Sequence, residues 1–264
     1  MMYWVYDIPD WLFTLLTVLA MVSVGVGGMF ATRTWVKRMH LTHSHNEMVS
    51  YYLSAVGVFY GITLGLIAIS TWQTYTDVDT KVTLEASALG ALWRDVSSYP
   101  EPECTTLRNG LRDYTRDVID YAWPLQRKGI VPSAGPTGRL FFTHFQESLY
   151  QFEPRTNGQM AIHMTALSEF NTLAMLRRER LQTVTAGLPS SMWILVLVGA
   201  FVNLAITWFF VAQNVTVHFW MTLLLSVLLG LLIHVLAAVD NPYRGKVSVS
   251  PQAIELVYDQ LMKP

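Results

Sequence analysis

Four stretches of the chain carry no charged side chain: Trp11 to Phe30, Ser50 to Trp72, Ser191 to Val211 and Val215 to Val239. Each reaches the ~20 mostly apolar residues that cross a bilayer. The second reads SYYLSAVGVFYGITLGLIAISTW and has no turn residue at its end, so its helix is expected to run on into TYTDVDTKV, out of the membrane. Gly57, Gly61 and Gly65 lie four apart, which puts them on one helix face where a neighbouring backbone can approach. Tyr52, Val56, Phe59 and Thr63 fall on roughly the opposite face.

From 73 to 188 charge returns and the apolar period becomes that of amphipathic helices. One carries Val82, Ala86, Leu89, Trp93 and Val96; a second carries Leu107, Leu111, Tyr114, Val118 and Tyr121, with Pro100 and Pro102 between them. RKGIVPSAGPTG ends the second helix. A shorter piece with Leu140, Phe141, Phe145 and Leu149 follows, then a helix from about Met160 to Leu181 with Met164, Leu167, Phe170 and Ala174 as its apolar face. No strand alternation of useful length occurs. Pro189 in GLPSSMW sits near the start of the third span, and AQN joins the third span to the fourth as an antiparallel hairpin. In the tail Ser250 can cap a short helix, with Pro251 at its first position and Ile254, Val257 and Leu261 along one edge.

The pattern predicts an all-α integral membrane protein of two helical hairpins: 1–72, a helical extramembrane domain at 73–188, a second hairpin at 189–239 and a tail at 240–264. The N-terminus, domain and C-terminus then share one side. Arg33, Lys37 and Arg38 in the first connector would place that connector in the cytoplasm. Lys81, Arg177, Arg178, Arg180, Arg244 and Lys246 flank the spans on the other face and argue the opposite.

Composition agrees with a membrane chain: 52% of the 264 residues are hydrophobic and 14% charged, against ~25% charged in soluble domains. A net charge of −1 gives no field for nucleic acid, and one cysteine excludes an internal disulfide. Met1 to Asp10 lacks Lys and Arg, which argues against a signal peptide.

Candidate chemistry is sparse. His40, His43 and His45 with Glu47 match no strong metal motif and read as interfacial polar residues; no cofactor or metal is expected. Asp113, Asp117 and Asp120 interleave with Arg112 and Arg116 as solvated ion pairs. There is no nucleophile elbow or phosphate loop, so an enzyme is not expected. Asn203 and His234 fall inside the third and fourth spans, and such groups mark functional candidates unless they bond within the bundle, His234 to Asn203 or to a hydroxyl. Trp11, Trp72 with Tyr75, and Trp193 suit the membrane interface.

GVFYGITLGLIAISTWQTY resembles the second transmembrane helix of bestrophin channels, and DNPYRG is similar to the Asn-Pro-Phe-Gly that follows their fourth. More closely, about residues 45 to 260 resemble the bacterial bestrophin-like family, on His45 and Asn46, Trp72, Glu85, Arg94, Tyr114, Trp123, RRERL, LPSSMW with Pro189 and Trp193, and DNPYRGKVSVSP with Asp240, Pro242, Arg244 and Gly245. The resemblance implies a homo-oligomeric ring, usually of five chains, in the bacterial inner membrane with its helical domain in the cytoplasm. The second helix would line a passive pore for inorganic ions, with Tyr52, Val56, Phe59 and Thr63 facing it and Phe59 at its narrowest part. KVSVSP replaces the acidic run that binds calcium in animal bestrophins, so calcium gating is not implied. Glu85 and Arg94, nine apart and on opposite sides of one helix, are expected to serve assembly through separate partners. Two other classes share the span pattern: a stator-type proton channel subunit working with a partner that supplies a membrane Asp, and a membrane scaffold or sensor without a pore.

Overall fold

The computed structural model describes residues 6, 8–38, 43–132 and 136–263. His40, the His43 side chain, and the side chains of Leu140 and Phe141 lie outside the described residues. Among those residues the chain is helical without strands: α1 (Asp10–Arg38), α2 (His43–Val96), α3 (Glu103–Asp117), α4 (Trp123–Arg127), α5 (Pro136–Gln151), α6 (Asn157–Thr183), α7 (Ser190–Trp208), α8 (Val215–Asp240) and α9 (Gln252–Val257). α1, α2, α7 and α8 are long and apolar enough to cross a membrane. The chain divides into two compact units: Met1–Gln73 with Gly187–Asn241 and Gly245–Val247, and Thr74–Ala186 with Pro242–Arg244 and Ser248–Pro264. α2 continues unbroken past Trp72 and carries the chain from one to the other.

In the first unit, α1 packs antiparallel to α8 through small residues, as expected where no hydrophobic effect drives helices together. A Cβ at Gly230 would lie 2.7 Å from the Val18 backbone, and one at Gly25 would collide with Ser226. The Trp208 indole covers Gly28 and donates from Nε1 to the Gly25 carbonyl at 2.9 Å, fixing α7 beside α1. α2 runs antiparallel to α7: the Tyr60 hydroxyl donates to the Val196 carbonyl (3.0 Å), its ring lies on Gly199, and Gly57 faces Asn203. Leu64, Ile67, Val196, Ala200, Leu204, Leu229, Ile233 and Leu236 form the core between them.

The two short connectors meet at one end of this unit. The Asn46 amide donates to the Val211 carbonyl and accepts from its N–H, both at 2.9 Å, and His45 Nε2 donates to the Phe209 carbonyl. At the other end Tyr6 donates to the Ala237 carbonyl and accepts from Asn241. α1 extends to Arg38, past the expected end at Phe30, so most of the polar connector is helix. α7 ends at Trp208 and not Val211, because residues 209–211 turn to meet His45 and Asn46. Asn214 then caps α8, accepting from the N–H of Thr216 at 2.9 Å.

Gly230→Val is expected to force α1 from α8, since the obstacle is backbone, and to cost ~1–3 kcal/mol or more. Gly27, whose added Cβ meets nothing within 4 Å, supplies the control. Equal melting temperatures for Gly230→Val and Gly27→Val in detergent would contradict the packing.

The second unit is built on the far part of α2, where Val78, Val82, Glu85, Leu89, Leu92 and Val96 are buried in steps of four and three. The expected register slips in three places. A π turn at Val118–Ala122 adds a residue to the turn, so Ala122 is buried and Tyr121 is half exposed. A second π turn, Tyr258–Met262, buries Met262 where Leu261 was expected. α6 presents His163, Ala166, Phe170, Leu173, Leu176 and Arg180 inward, with Met164 outside, because His163 accepts the Tyr99 hydroxyl in a buried hydrogen bond of 2.8 Å or donates to it. Thr156 caps α6, accepting from Gln159 N–H at 3.1 Å. Ser250 does not cap α9, whose first turn closes on the Pro251 carbonyl. Arg112 and Arg116 reach the C-terminal segment, donating to the Met262 carbonyl (2.7 Å) and the Tyr258 hydroxyl (2.5 Å).

Candidate functional site

Between Ser50 and Trp72 one side of α2 is committed to the chain itself, through Tyr60, Leu64, Ile67 and Thr71. Much of the remainder, including Tyr51, Val58, Ile62 and Ile69, is exposed within the chain. Phe59 is 74% exposed and Tyr52 63%, whereas Val56 and Thr63 are half-buried at the edge of the face turned to α7. Leu66 lies seven residues beyond Phe59 and therefore on the same face, also exposed. Thr63 donates its hydroxyl to the Phe59 carbonyl at 2.8 Å, which satisfies it without a solvent partner. Of the glycines, Gly57 approaches Asn203, while a Cβ at Gly61 or Gly65 would meet nothing within the chain.

The intramembrane polar groups do not join each other. Asn203 donates to the Gly199 carbonyl one turn back at 2.8 Å. His234 Nε2 lies 3.1 Å from the Thr14 hydroxyl and 3.6 Å from Asp10, edge-on to the Phe13 ring. Of the two partners read from sequence, the hydroxyl is the one found.

Asp240 closes α8 against the start of α7. Its carboxylate accepts from the Leu188 N–H at 2.5 Å, from the Trp193 indole at 3.1 Å and from Asn241 at 3.3 Å. Trp193 thus spends its polar atom on Asp240. Pro189 precedes the first turn of α7. In the second unit, Pro242 accepts from the Val249 N–H at 2.8 Å and Arg244 donates to the Lys128 carbonyl. Gly245, in the first unit, has φ +78, a left-handed conformation that favours glycine.

The most buried ionic group was not legible as one. Arg180 and Glu85, each with a side chain 1% exposed, form a bidentate pair at 2.5 and 3.1 Å. Tyr114 donates to the same carboxylate at 3.1 Å, and Arg180 also donates to Gln126 at 2.7 Å. The guanidinium lies 5.7 Å from the Trp123 ring, which packs edge-on against Tyr243. Burial by itself would lower the Arg180 pKa, and the Glu85 carboxylate outweighs it and holds the group above its ordinary value. Burial, followed by Glu85, raises the Tyr114 hydroxyl. Glu85 thus meets its partner within the chain, and Arg94 is exposed on another side of α2. Several of the cations counted as flanks are likewise engaged: Lys81 pairs with Asp77 at 2.8 Å and Arg177 lies over the Phe142 ring.

A bestrophin-like domain model matches residues 19–254. Crystal structures of a bacterial bestrophin homologue from Klebsiella pneumoniae share the fold: one, of a point mutant, has TM-score 0.71 at 9% identity, and another has TM-score 0.69 at 11%, each covering 95% of this chain and 99% of that one. At such identities the likeness is one of fold. No curated protein matches the sequence significantly. With four membrane-length helices, the bestrophin-type channel fold and a family model that spans most of its length, the chain is an integral membrane protein that belongs to the bestrophin-like family.

Proposed function

We propose that the protein is a homo-oligomeric channel for passive transport of inorganic ions, with α2 lining the pore. The observation that carries this reading is the free face of α2: an uncharged membrane segment that leaves Tyr52, Phe59 and Leu66 without partners in its own chain. Around a symmetry axis those rings would form a hydrophobic constriction, narrowest at Phe59, that gates by dewetting and needs no charged residue. Val56 and Thr63 would line its flank. The family relationship supports a ring of five, with 73–188 as a cytoplasmic domain, the termini on the same side and the spans in the inner membrane. Ion flux through purified protein in liposomes tests the reading; intact oligomers without flux would overturn it in favour of a scaffold.

Gly61 and Gly65 face away from the chain's own core, and small residues are what close helix contacts in membranes use. Gly61→Leu is therefore expected to lower the oligomer mass in mild detergent while the chain itself stays folded. An unchanged mass would mean that the glycines face lipid.

A further inference from the structure

A second feature of the first unit lies away from the α2 face. The last turns of α1 and the connector between α7 and α8 enclose a cleft lined by Met29, Arg33, Lys37, Trp208, Val211 and their neighbours. Arg33 is half-buried, and among the described residues neither it nor Lys37 has a carboxylate partner or a hydrogen bond to protein. A cation withdrawn from water without a counter-charge is costly, so the cleft favours an anion.

The other walls say what kind. Arg33 and Lys37 stand just beyond the uncharged run that ends at Phe30, at the level where a span leaves the hydrocarbon. Trp35 is 52% exposed there, and Trp208 turns its ring to the cleft with its N–H already bonded to Gly25, as suits an interfacial aromatic belt. Trp208, Val211 and Val215, all half-buried, offer apolar surface next to the two cations. We propose that this cleft binds one anionic glycerophospholipid, its phosphate held by Arg33 and Lys37 and an acyl chain lying along Trp208, Val211 and Val215. A soluble phosphate would use the cations and leave the apolar wall bare. The basic end of α1 is then a lipid clamp and not a marker of which side faces the cytoplasm.

The test measures lipid retained by the purified full-length protein, by native mass spectrometry, after exchange into mixed micelles of phosphatidylglycerol or phosphatidylcholine. Wild type should hold phosphatidylglycerol in preference, and Arg33→Gln with Lys37→Gln should weaken it about 10- to 30-fold, leaving phosphatidylcholine unchanged. Ala212→Trp, which fills the cleft from its exposed rim and keeps both charges, should lose the lipid as well. Arg38→Gln, outside the lining, should retain it. Equal retention by the double variant, no preference in wild type, or full displacement by millimolar inorganic phosphate would each overturn the proposal, the last by showing a soluble-anion site.

Discussion

Arg180→Leu is expected to destabilise the second unit by ~3–5 kcal/mol, because it leaves the Glu85 carboxylate buried with one Tyr114 hydrogen bond and no counter-charge. Gln126 would lose its donor at the same time. The complementary Glu85→Leu strands the guanidinium in the same site and should cost a similar amount. In the double variant neither charge is stranded, so its loss should fall well below the sum of the two singles. Unfolding of the detergent-solubilised protein, followed by tryptophan fluorescence, reads all three. Additive losses would mean that the two groups are held independently by their surroundings. The pair stabilises only while both members are present, since desolvating two ions offsets most of what their attraction returns.

Phe59→Ala should raise conductance in liposomes or a planar bilayer. Passage through a dry ring is limited by a barrier, and lowering that barrier by about 1.4 kcal/mol raises the rate about tenfold. Because Phe59 is 74% exposed within its own chain, trimming it removes little intrachain packing. Leu64→Ala serves as the contrast: Leu64 is 7% exposed in the core against α7 and α8, and its truncation should cost ~2–5 kcal/mol without opening the pathway. Conductance and thermal stability are measured on one preparation. Lower stability with unchanged current in Phe59→Ala would assign the ring to packing and remove the main support for the pore.

The four spans could be read directly, because uncharged runs of membrane length have few alternative fates. Their ends could not. Trp208 ends its helix where His45 and Asn46 supply hydrogen bonds to residues 209–211, and those partners lie far away in sequence. In the second unit the apolar period located the helices but not always their faces. A π turn inserts one residue, and nothing in the local sequence near Tyr121 or Leu261 marks it. On α6 the inward face includes His163 and Arg180, so the apolar pattern alone points to Met164, which is exposed, as well as to Phe170, which is buried. A usable signal was present. Glu85 falls in the same four-and-three steps as Val78, Val82, Leu89 and Leu92, and a charge in such a stripe calls for an opposite charge in another. The glycines of α2 raise a different difficulty: their spacing is explicit, yet what Gly61 and Gly65 touch is not part of one chain.

The way α1 is packed has a consequence for biosynthesis. Its close contacts are with Trp208, Ser226 and Gly230, all far later in the chain, while α2 follows it at once. About 115 residues separate the first two spans from the third. At typical elongation rates that interval lasts roughly 6 to 23 s. Throughout it, Gly25, Gly28 and Val18 lack the α7 and α8 residues that cover them in the fold. The first span must therefore hold its place by its own hydrophobicity, and α1 acquires its α7 and α8 partners only after the ribosome has delivered them.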